Sequence, residues 1–365
     1  MINQTYKELH EQFKLNGNSY SIEEMKEVAY SLVKEGEDFE KEIGDFLIDW
    51  LDNKPTITVH TSGSTGNPKP ILLKKEQMVN SAIATGDFFK IEPKHTALLC
   101  LSTSYIAGKM MLVRAMVLGM SIYCVDPSSS PLKNNKKQYD FVAMVPLQFE
   151  NSLLDLDKVK KLIIGGAPVS YKLKKDFLNA SQRTNVFETY GMTETLTHIA
   201  VKPLLGQLID SKTDLDVFTT LSNVKVSKDE RGCLVIDAPS VLNEPIRTND
   251  MVDLVSDNQF KWLGRFDNVI NSGGIKLFPE QIEAKLGSSI DERFFVTSVS
   301  DDKLGEKLIL VVEGNPDEEQ LYKQIAEPAS LEKYEVPKGI FVVDAFEETG
   351  SGKLRRKATL DKIAF

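Results

Sequence analysis

The stretch "TALLCLSTSYIAGKMMLVRAMVLGMSIYCVD", from Thr96 to Asp126, decides the fold. Its two short apolar runs, "TALLCLS" and "SIYCVD", are typical of buried strands, and the segment between them, "GKMMLVRAMVLG", is typical of a buried helix. Similar apolar runs alternate with helical segments elsewhere, as in "TITVH", "KEQMVNSAIATGDFF", "FVAMVP" and "KKLIIGG". The sequence therefore predicts an α/β domain whose helices cover a largely parallel sheet.

The regions on either side of this core have different sequence patterns. In "SIEEMKEVAYSLVKEGEDFEKEIGDFLIDWL", charged residues follow a helical period, and Ser21 with Glu24 forms a capping-box pattern. This segment predicts two amphipathic helices. From about Val224 onward, turn-rich alternating segments such as "MVDLVSDNQFKWLGRFD" predict antiparallel hairpins.

The turn-rich sequence "GRFDN" marks the predicted domain boundary, near Asp267. Beyond it, "KLFPEQIEAKLGS" predicts a helix entered through Pro279, "EKLILVVEG" predicts a strand and "DEEQLYKQIAE" predicts a second helix. We expect a large multi-sheet N-terminal domain over residues 1–266 and a small α+β C-terminal domain over residues 267–365.

Composition excludes several classes of protein. The 365 residues are 41% apolar and 27% charged, which is typical of a globular chain with a sizeable core. The formal net charge of −9 offers no general basic surface to nucleic acid or anionic lipid. No secretory leader and no long apolar run is recognisable, so we expect a cytoplasmic protein without membrane insertion.

The cysteines and histidines show no metal-binding pattern. The cysteines lie in apolar stretches, which favours buried free thiols, and the histidines lack the HExxH spacing of zinc sites. The residues concerned are Cys100, Cys124, Cys233, His10, His60, His95 and His198.

The segment "HTSGSTGNPKPILL", from His60 to Leu73, has the composition of a phosphate-binding loop. Glycines let backbone N–H groups approach phosphate oxygens, hydroxyls add hydrogen bonds and a lysine adds charge. A Walker A loop is excluded because Pro68 stands where its second glycine belongs, and a dinucleotide GxGxxG is absent. Taken alone, the segment is also compatible with a flexible Ser/Gly turn between two strands.

Three further motifs follow in order: "YGMTET" (Tyr190–Thr195), "GRFDNVINSGGIKLFPEQIE" (Gly264–Glu283) and "TGSGKLRRK" (Thr349–Lys357). Together with the loop they resemble the superfamily of adenylate-forming enzymes, which contains acyl-CoA and aryl-CoA synthetases, peptide-synthetase adenylation domains and luciferases. Within it, the chain is most similar to compact o-succinylbenzoate–CoA ligases of menaquinone biosynthesis. His60 and Pro70 depart from the superfamily's loop, and the chain is short for the superfamily ahead of that loop.

The resemblance implies a ligase that uses ATP, Mg²⁺ and coenzyme A. A carboxylic acid would react with ATP to give an acyl-adenylate and pyrophosphate, and the acyl group would then pass to the thiol of coenzyme A. The loop residues would bind the β- and γ-phosphates, Thr193 the α-phosphate and Glu194 the magnesium ion. The implied loop contacts are Thr61, Ser62, Gly63, Ser64, Thr65, Gly66 and Lys69.

The other nucleotide contacts follow from the same resemblance. Tyr190 would lie against the adenine face, and Asp250 with Arg265 would bind the ribose, although Asn249 replaces the usual glycine before Asp250. Lys353 would reach between the carboxylate and the α-phosphate during adenylation, with Glu347 in place of the motif's proline. The remaining implied contacts in the nucleotide site are Gly166, Ala167, Pro168, Thr189, Gly191 and Met192.

The resemblance also implies a moving small domain that hinges at Asp267. Its rotation would exchange Lys353 for the loop that carries Gly273 and Gly274, which would line the channel for coenzyme A. Retention of this double glycine favours a CoA ligase over a luciferase-like oxidation.

The acyl pocket is expected near "SYIAGKMM", where Tyr105 takes the place of a histidine and Gly108 follows. Because o-succinylbenzoate carries a second carboxylate, a cation is expected nearby, and Lys109 or His198 could supply it. Three alternatives stay open: a ligase for another aryl or medium-chain acid, a noncatalytic nucleotide-binding relative, and an adenylation domain that serves a carrier domain. Action on free coenzyme A is preferred because no carrier domain follows Lys353 in this sequence. The sequence predicts no oligomeric state.

Overall fold

The computed structural model describes residues 5–60, 70–180, 183–205, 214–326, 331–348 and 354–363. The predicted phosphate contacts Thr61, Ser62, Gly63, Ser64, Thr65, Gly66 and Lys69 lie outside these ranges, as does Lys353.

Helices are found at both ends of the chain and between the strands of its first half. They are α1 (Ile22–Glu35), α2 (Asp38–Leu51), α3 (Lys75–Phe89), α4 (Ile106–Leu118), α5 (Pro146–Glu150), α6 (Tyr171–Ala180), α7 (Pro279–Leu286), α8 (Glu318–Ala326) and α9 (Arg356–Leu360). Short 3₁₀ turns cover Leu153–Lys158, Thr193–Thr195 and Phe266–Asn268.

The strands of the first half are β1 (Lys14–Leu15), β2 (Thr56–His60), β3 (Pro70–Lys74), β4 (Thr96–Leu99), β5 (Ser121–Cys124), β6 (Tyr139–Met144), β7 (Val159–Ile164) and β8 (Asn185–Gly191). Those that follow are β9 (His198–Leu205), β10 (Val217–Thr220), β11 (Lys225–Lys228), β12 (Cys233–Asp237), β13 (Ile246–Ser256), β14 (Gln259–Arg265), β15 (Ile270–Ser272), β16 (Ile275–Leu277), β17 (Phe294–Asp301), β18 (Gly305–Glu313) and β19 (Ile340–Val343).

A twelve-stranded sheet forms the centre of the molecule, in the order β1-β5-β4-β6-β7-β8-β9-β10-β14-β13-β12-β11. The strands from β1 to β8 in this order pair in parallel, whereas every pair from β8–β9 onward is antiparallel. The predicted α/β class is therefore confirmed, as is the change to antiparallel hairpins in the second half.

The predicted helices pack onto this sheet as their patterns require. Every residue of α4 from Met110 to Leu118 is buried, because this run is apolar on all faces except at Arg114 and so has no polar face for solvent. In α1 the capping box is confirmed, since Ser21 and Glu24 each accept a hydrogen bond from the other's backbone N–H. The cores of α1 and α2 join the same hydrophobic cluster as α3 and α4.

The cysteines are free thiols, two of them buried and one half-buried. Burial raises the pKa of Cys100 to about 12, so its sulfur stays protonated and inert. Over the described ranges, no helix is long and apolar enough to cross a membrane.

A separate five-stranded sheet begins at Ile270, three residues after the predicted boundary at Asp267. It has its own apolar core with α7 and α8, which includes Ile282, Leu310 and Leu321. The amide of Gln281 on α7 donates to the carbonyl oxygens of Trp262 and Leu263 at 2.9 and 3.2 Å, so α7 docks on the edge of β14.

Candidate active site

The predicted adenine-side residues meet at the carboxyl end of the parallel strands. The hydroxyl of Thr189 on β8 donates to the carbonyl of Ile164, the last residue of β7, at 2.9 Å. This bond places the loop after β7 beside the end of β8. Ligands of parallel α/β sheets bind at this edge, because loops and helix ends converge there.

The loop Gly165–Pro168 forms an open wall at that edge. Gly166 has φ +88°, a left-handed conformation that favours glycine, and a Cβ at Gly165 would lie 2.6 Å from the hydroxyl oxygen of Thr189. The backbone N–H of Val169 donates to Oε1 of Glu188 at 3.3 Å and fixes the far end of the loop. Gly166, Ala167 and Pro168 are exposed, so a flat base can approach their backbone.

Three predicted contacts, Tyr190, Asp250 and Arg265, are brought together by hydrogen bonds. The hydroxyl of Tyr190 donates to Oδ2 of Asp250 at 2.6 Å, while Oδ1 accepts from Trp262 Nε1 at 3.2 Å and from Arg265 Nη1 at 3.4 Å. Asp250 and Arg265 are paired neighbours on β13 and β14. The carboxylate of Asp250 is 6% exposed, so these three donors stabilise a buried negative charge.

The ring of Tyr190 is held edge-on against two phenylalanines. Its centroid lies 5.3 Å from that of Phe260 and 5.8 Å from that of Phe218, with interplanar angles of 79° and 61°. Burial, and after it the charge of Asp250, raises the pKa of Tyr190, so the hydroxyl stays a donor at neutral pH. Tyr190 is thus a fixed, half-buried ring at the end of β8.

The segment after Tyr190 makes a tight turn that presents Glu194. The backbone N–H of Met192 donates to the hydroxyl of Thr195 at 2.9 Å and closes the turn, with Thr193 half-buried and Glu194 exposed at its apex. Leu196 follows with φ +67° and ψ −52°, a strained backbone for a non-glycine residue. A Cβ on Gly191 would lie 2.4 Å from a backbone oxygen, so only glycine fits there.

The predicted acyl-side residues occupy the start of α4. Tyr105 is the N-cap residue of this helix and is 58% exposed. A Cβ on Gly108 would lie 2.2 Å from the carbonyl oxygen of Ser102, so Gly108 allows the helix to pack on the preceding turn. Lys109 instead faces α2, because its ammonium group donates to the carbonyl of Thr103 and lies 5.5 Å from the ring centroid of Phe46.

His198 is buried at the start of β9, where it pairs with Gly191, one of the predicted nucleotide contacts. Nη2 of Arg114, on α4, lies 3.4 Å from His198 Nδ1 and 3.1 Å from the hydroxyl oxygen of Thr197. Burial, and after it the charge of Arg114, lowers the pKa of His198 well below its usual value. His198 is therefore neutral at pH 7.

The predicted hinge residue Asp267 accepts a hydrogen bond from the side chain of Asn249. Asn249 Oδ1 in turn accepts from Arg231 Nη1 at 3.2 Å. Gly273 and Gly274 form the two-residue turn between β15 and β16, with φ +59° and +83°. The left-handed backbone of this turn therefore favours glycine at both positions, independent of any ligand.

Comparison with known proteins identifies the family. The sequence profile of the family described as AMP-binding enzyme matches residues 16–243. The chain belongs to this AMP-binding enzyme family. It is 26% identical over 341 residues to the 2-succinylbenzoate–CoA ligase of Geobacillus sp., a match that covers 84% of this chain and 68% of that protein.

Two solved structures are similar to this AMP-binding enzyme over most of its length. An acyl-CoA synthetase (AMP-forming)/AMP-acid ligase II-like protein from Dyadobacter fermentans is 36% identical with a TM-score of 0.60, over 92% of this chain and 98% of that one. The O-succinylbenzoate coenzyme A synthetase from Bacillus subtilis, in complex with ATP and magnesium ion, is 20% identical with a TM-score of 0.71, over 95% and 83%. The second likeness supports the fold alone.

The donor set of this AMP-binding enzyme fits a magnesium ion shared with a nucleotide. Within the described ranges, no group of three or more His, Cys, Asp or Glu side chains could hold a metal on its own. Mg²⁺ is commonly held by one or two carboxylates together with substrate phosphates. The exposed carboxylate of Glu194 is suited to that arrangement.

Two residues that contact predicted site residues are not predicted from the sequence. Trp262 donates to Asp250, but its place in an alternating strand pattern gave no sign of that contact. Arg114 is 1% exposed, and its signal was present, because it is the only charged residue in the apolar run "MMLVRAMVL". A single charge inside a helix that is otherwise apolar is a buried charge in need of a partner.

Proposed function

We propose that this AMP-binding enzyme is an AMP-forming acid–CoA ligase whose acid is o-succinylbenzoate. The observation that carries the proposal is the cluster of Tyr190, Asp250 and Arg265 beside the open wall Gly166–Pro168, which together suit an adenosine moiety. The choice of acid is supported by relatives named 2-succinylbenzoate–CoA ligase.

The chemistry requires charge stabilisation more than covalent catalysis. A carboxylate is a poor electrophile, because its oxygen is a poor leaving group, and its reaction with ATP makes a mixed anhydride with AMP. The carboxylate oxygen attacks the α-phosphorus, the bond to the β-phosphate oxygen breaks and pyrophosphate leaves. The protein must hold two anions together and stabilise the charge that develops between them.

The residues divide this task. The wall Gly166–Pro168 and Tyr190 would hold adenine, Asp250 and Arg265 the ribose, and Thr193 the α-phosphate. Glu194 would hold Mg²⁺, which neutralises charge on the phosphate oxygens when bound. The segment from Thr61 to Lys69 would hold the departing phosphates. Lys353 would neutralise the attacking carboxylate and the α-phosphate.

The second half-reaction needs a different arrangement, because Lys353 would obstruct an incoming thiol. We place the moving unit at residues 267–365, with Asp267 as the hinge and its contact with Asn249 as a link to the larger unit. Rotation would withdraw Lys353 and bring Gly273 and Gly274 to the entry path of coenzyme A. The thiol sulfur then attacks the acyl carbon and AMP leaves.

The test is pyrophosphate release from ATP and Mg²⁺ with a panel of acids, with and without coenzyme A. We expect o-succinylbenzoate to give the highest kcat/KM, with the CoA thioester and AMP as products when coenzyme A is present. Absence of acid-dependent release for every acid would overturn the ligase. Faster release with benzoate or octanoate would overturn the choice of acid and leave the ligase in place.

A further inference from the structure

Arg231 is held in a fixed position between two elements of the large sheet. It lies in the turn that joins β11 and β12, which is closed by the N–H of Gly232 donating to the carbonyl of Asp229 at 3.0 Å. Oδ2 of Asp229 accepts from Arg231 Nε and Nη2 at 2.9 and 2.7 Å. Nη2 also donates to the carbonyl of Thr248 on β13 at 2.8 Å. The guanidinium is therefore anchored on the turn and on a neighbouring strand.

From this position Arg231 is tied to two consecutive residues at the proposed hinge. Its Nη1 donates to Asn249 Oδ1 at 3.2 Å, and Asn249 Nδ2 donates to the carboxylate of Asp267. Only this orientation of the amide satisfies both partners, because a guanidinium only donates and a carboxylate only accepts. The guanidinium carbon also lies 5.4 Å from the ring centroid of Phe266, a cation–π contact.

The link from Arg231 through Asn249 to Asp267 depends on a residue that departs from the superfamily motif. A glycine, which is usual at position 249, has no side-chain amide and could not connect the arginine with the hinge. Successive residues of a strand point to opposite faces, so Asn249 can face the hinge while Asp250 bonds to Tyr190. The link is thus a feature of this sequence that leaves the proposed ribose contact in place.

The link opposes rotation at the hinge. A change in φ of Asp267 turns its Cβ together with its carbonyl carbon about the N–Cα bond, which carries the carboxylate away from Asn249. The hydrogen bond between the two side chains must then break. Loss of one such bond, with its usual net contribution, changes an equilibrium about fivefold.

We propose that Arg231 is a positioning residue for the hinge: through Asn249 and Phe266 it restrains residues 266–267, and so sets the balance between the two half-reactions. Arg231 acts through these two side chains and contacts no substrate. The proposal rests on the proposed acid–CoA ligase with its rotating unit.

Amide hydrogen exchange of the 365-residue protein measures the restraint. We expect Arg231→Met and Asn249→Gly each to speed exchange in residues 266–270 about fivefold. Because both substitutions break the same link, the double variant should stay within about twofold of the faster single variant, whereas independent effects would multiply to about twenty-five-fold. Independent effects, or unchanged exchange in Arg231→Met, would overturn the link.

Arg247→Met is the matched control. Arg247 is an exposed arginine on β13 that pairs with Glu230 at 3.7 Å, so its removal should leave exchange in residues 266–270 unchanged. The Arg231→Met protein is expected to fold, because Oδ1 of Asp229 still accepts from the backbone N–H groups of residue 231 and Cys233, both at 2.9 Å.

Arg231→Lys separates geometry from charge. Lysine keeps the positive charge but lacks the planar fork that bonds to Thr248 and Asn249 together, so this variant should exchange as fast as Arg231→Met. Exchange at the wild-type rate in Arg231→Lys would overturn the role of the fork.

Single-turnover rates connect the link to the two half-reactions. Arg231→Met should change the ratio of the adenylation rate to the rate of thioester formation about fivefold, because the arrangement held by the link becomes less populated. A merely structural role would lower both rates equally and leave the ratio unchanged. An unchanged ratio in an active variant with faster exchange would overturn the control of the half-reactions and leave the ligase standing. If no acid gives pyrophosphate release, the ligase fails, while the exchange experiment still decides whether the link exists.

Discussion

The hydroxyl of Tyr190 lies 2.6 Å from Oδ2 of Asp250, although the two residues are sixty positions apart in the sequence. Tyr190 is the last residue but one of β8, the last strand of the parallel half of the large sheet, and Asp250 lies on β13 in the antiparallel half. The residues proposed to bind base and ribose are thus one hydrogen-bonded unit. Such a site loses little entropy when the nucleotide binds.

Removal of the Tyr190 hydroxyl should lower the stability of the fold and weaken the binding of ATP. Tyr190→Phe keeps the ring packing on Phe260 but leaves Asp250, buried and charged, with two donors instead of three. We expect a loss of about 1.5–3 kcal/mol in the free energy of unfolding and a higher KM for ATP. Urea denaturation and pyrophosphate-release kinetics measure these changes. Tyr322→Phe, on an exposed side chain of α8, should change neither, and a Tyr190→Phe protein identical to wild type would contradict the role.

Lys353→Ala should separate the two half-reactions. If Lys353 neutralises charge between the carboxylate and the α-phosphate, adenylation should fall by about a hundredfold or more. Thioester formation from supplied acyl-adenylate and coenzyme A should stay within a few-fold of wild type. Single-turnover assays of each half-reaction measure this difference. An equal loss in both half-reactions would contradict the proposed rotation, in which the hairpin that carries Gly273 and Gly274 replaces Lys353.

Asn249→Gly should loosen the junction between the two units. The substitution removes the hydrogen bond to Asp267 and the contact of Asn249 with Arg231. A loss of about 1 kcal/mol corresponds to about fivefold faster amide hydrogen exchange in residues 266–270. Asn258→Gly, at the opposite end of the β13–β14 hairpin, is the control and should leave that exchange unchanged. Unchanged exchange in Asn249→Gly would show that Asn249 does not restrain the hinge.

The ion pair between Arg356 and Glu283 should stabilise the proposed small unit. Arg356 Nη1 and Nη2 bind the two carboxylate oxygens of Glu283 at 2.7 and 2.9 Å, and Nη1 also donates to the carbonyl of Val296 at 2.7 Å. Burial raises the pKa of Glu283, so the carboxylate depends on this partner. The pair is half-buried, so we expect Arg356→Leu to cost about 1.5–3 kcal/mol in the free energy of unfolding, which is typical of a hydrogen bond to a charged group.

The double variant Arg356→Leu/Glu283→Leu tests whether the cost is that of an unpaired charge. It should be more stable than Arg356→Leu alone, because the half-buried carboxylate of Glu283 is then no longer left without its partner. Thermal unfolding of the three variants and the wild type gives the coupling. Additive losses would show that the two side chains act independently.

Stability should depend on pH through His198. Its folded pKa is well below 6.5, whereas the unfolded chain takes up a proton near pH 6.5, so the unfolded state binds more protons below that pH. The contribution of His198 is complete above about pH 6.5 and is lost as the pH falls toward the folded pKa. The difference in unfolding free energy between wild type and His198→Asn should fall by up to about 1.4 kcal/mol per pH unit in that window. A difference constant between pH 7 and 5 would contradict a neutral buried His198.

Local sequence patterns predict much of the fold. The apolar run of α4, the capping box at Ser21 and the entry of α7 through Pro279 each have a local physical cause that the sequence displays. The contact of Tyr190 with Asp250 has no such signal, because it depends on how strands far apart in sequence are ordered in the sheet. Strand order and register are set by tertiary packing.

The direction of Lys109 on α4 shows what residue-type reasoning does not supply. Lys109 follows Tyr105 by one helical turn, and this spacing predicts that it faces the acid. In the structure it turns toward α2. Burial lowers its pKa, and the acidic side chains Asp49, Glu42 and Asp45 oppose this effect only in part. Arg114, five residues further on, points into the core beside His198. The direction of each side chain depends on which helix packs alongside, and a single sequence does not display that.

The change of strand direction at β8 has a consequence for the assembly of the protein. β8 pairs with β7 in parallel and with β9 in antiparallel orientation, and the proposed base wall and ribose contact lie on opposite sides of this change. If the chain were divided between β9 and β10, one fragment would carry Gly166–Pro168 and Tyr190 and the other Asp250 and Arg265. Neither fragment would contain a whole nucleotide site, so ATP binding would report their reassociation.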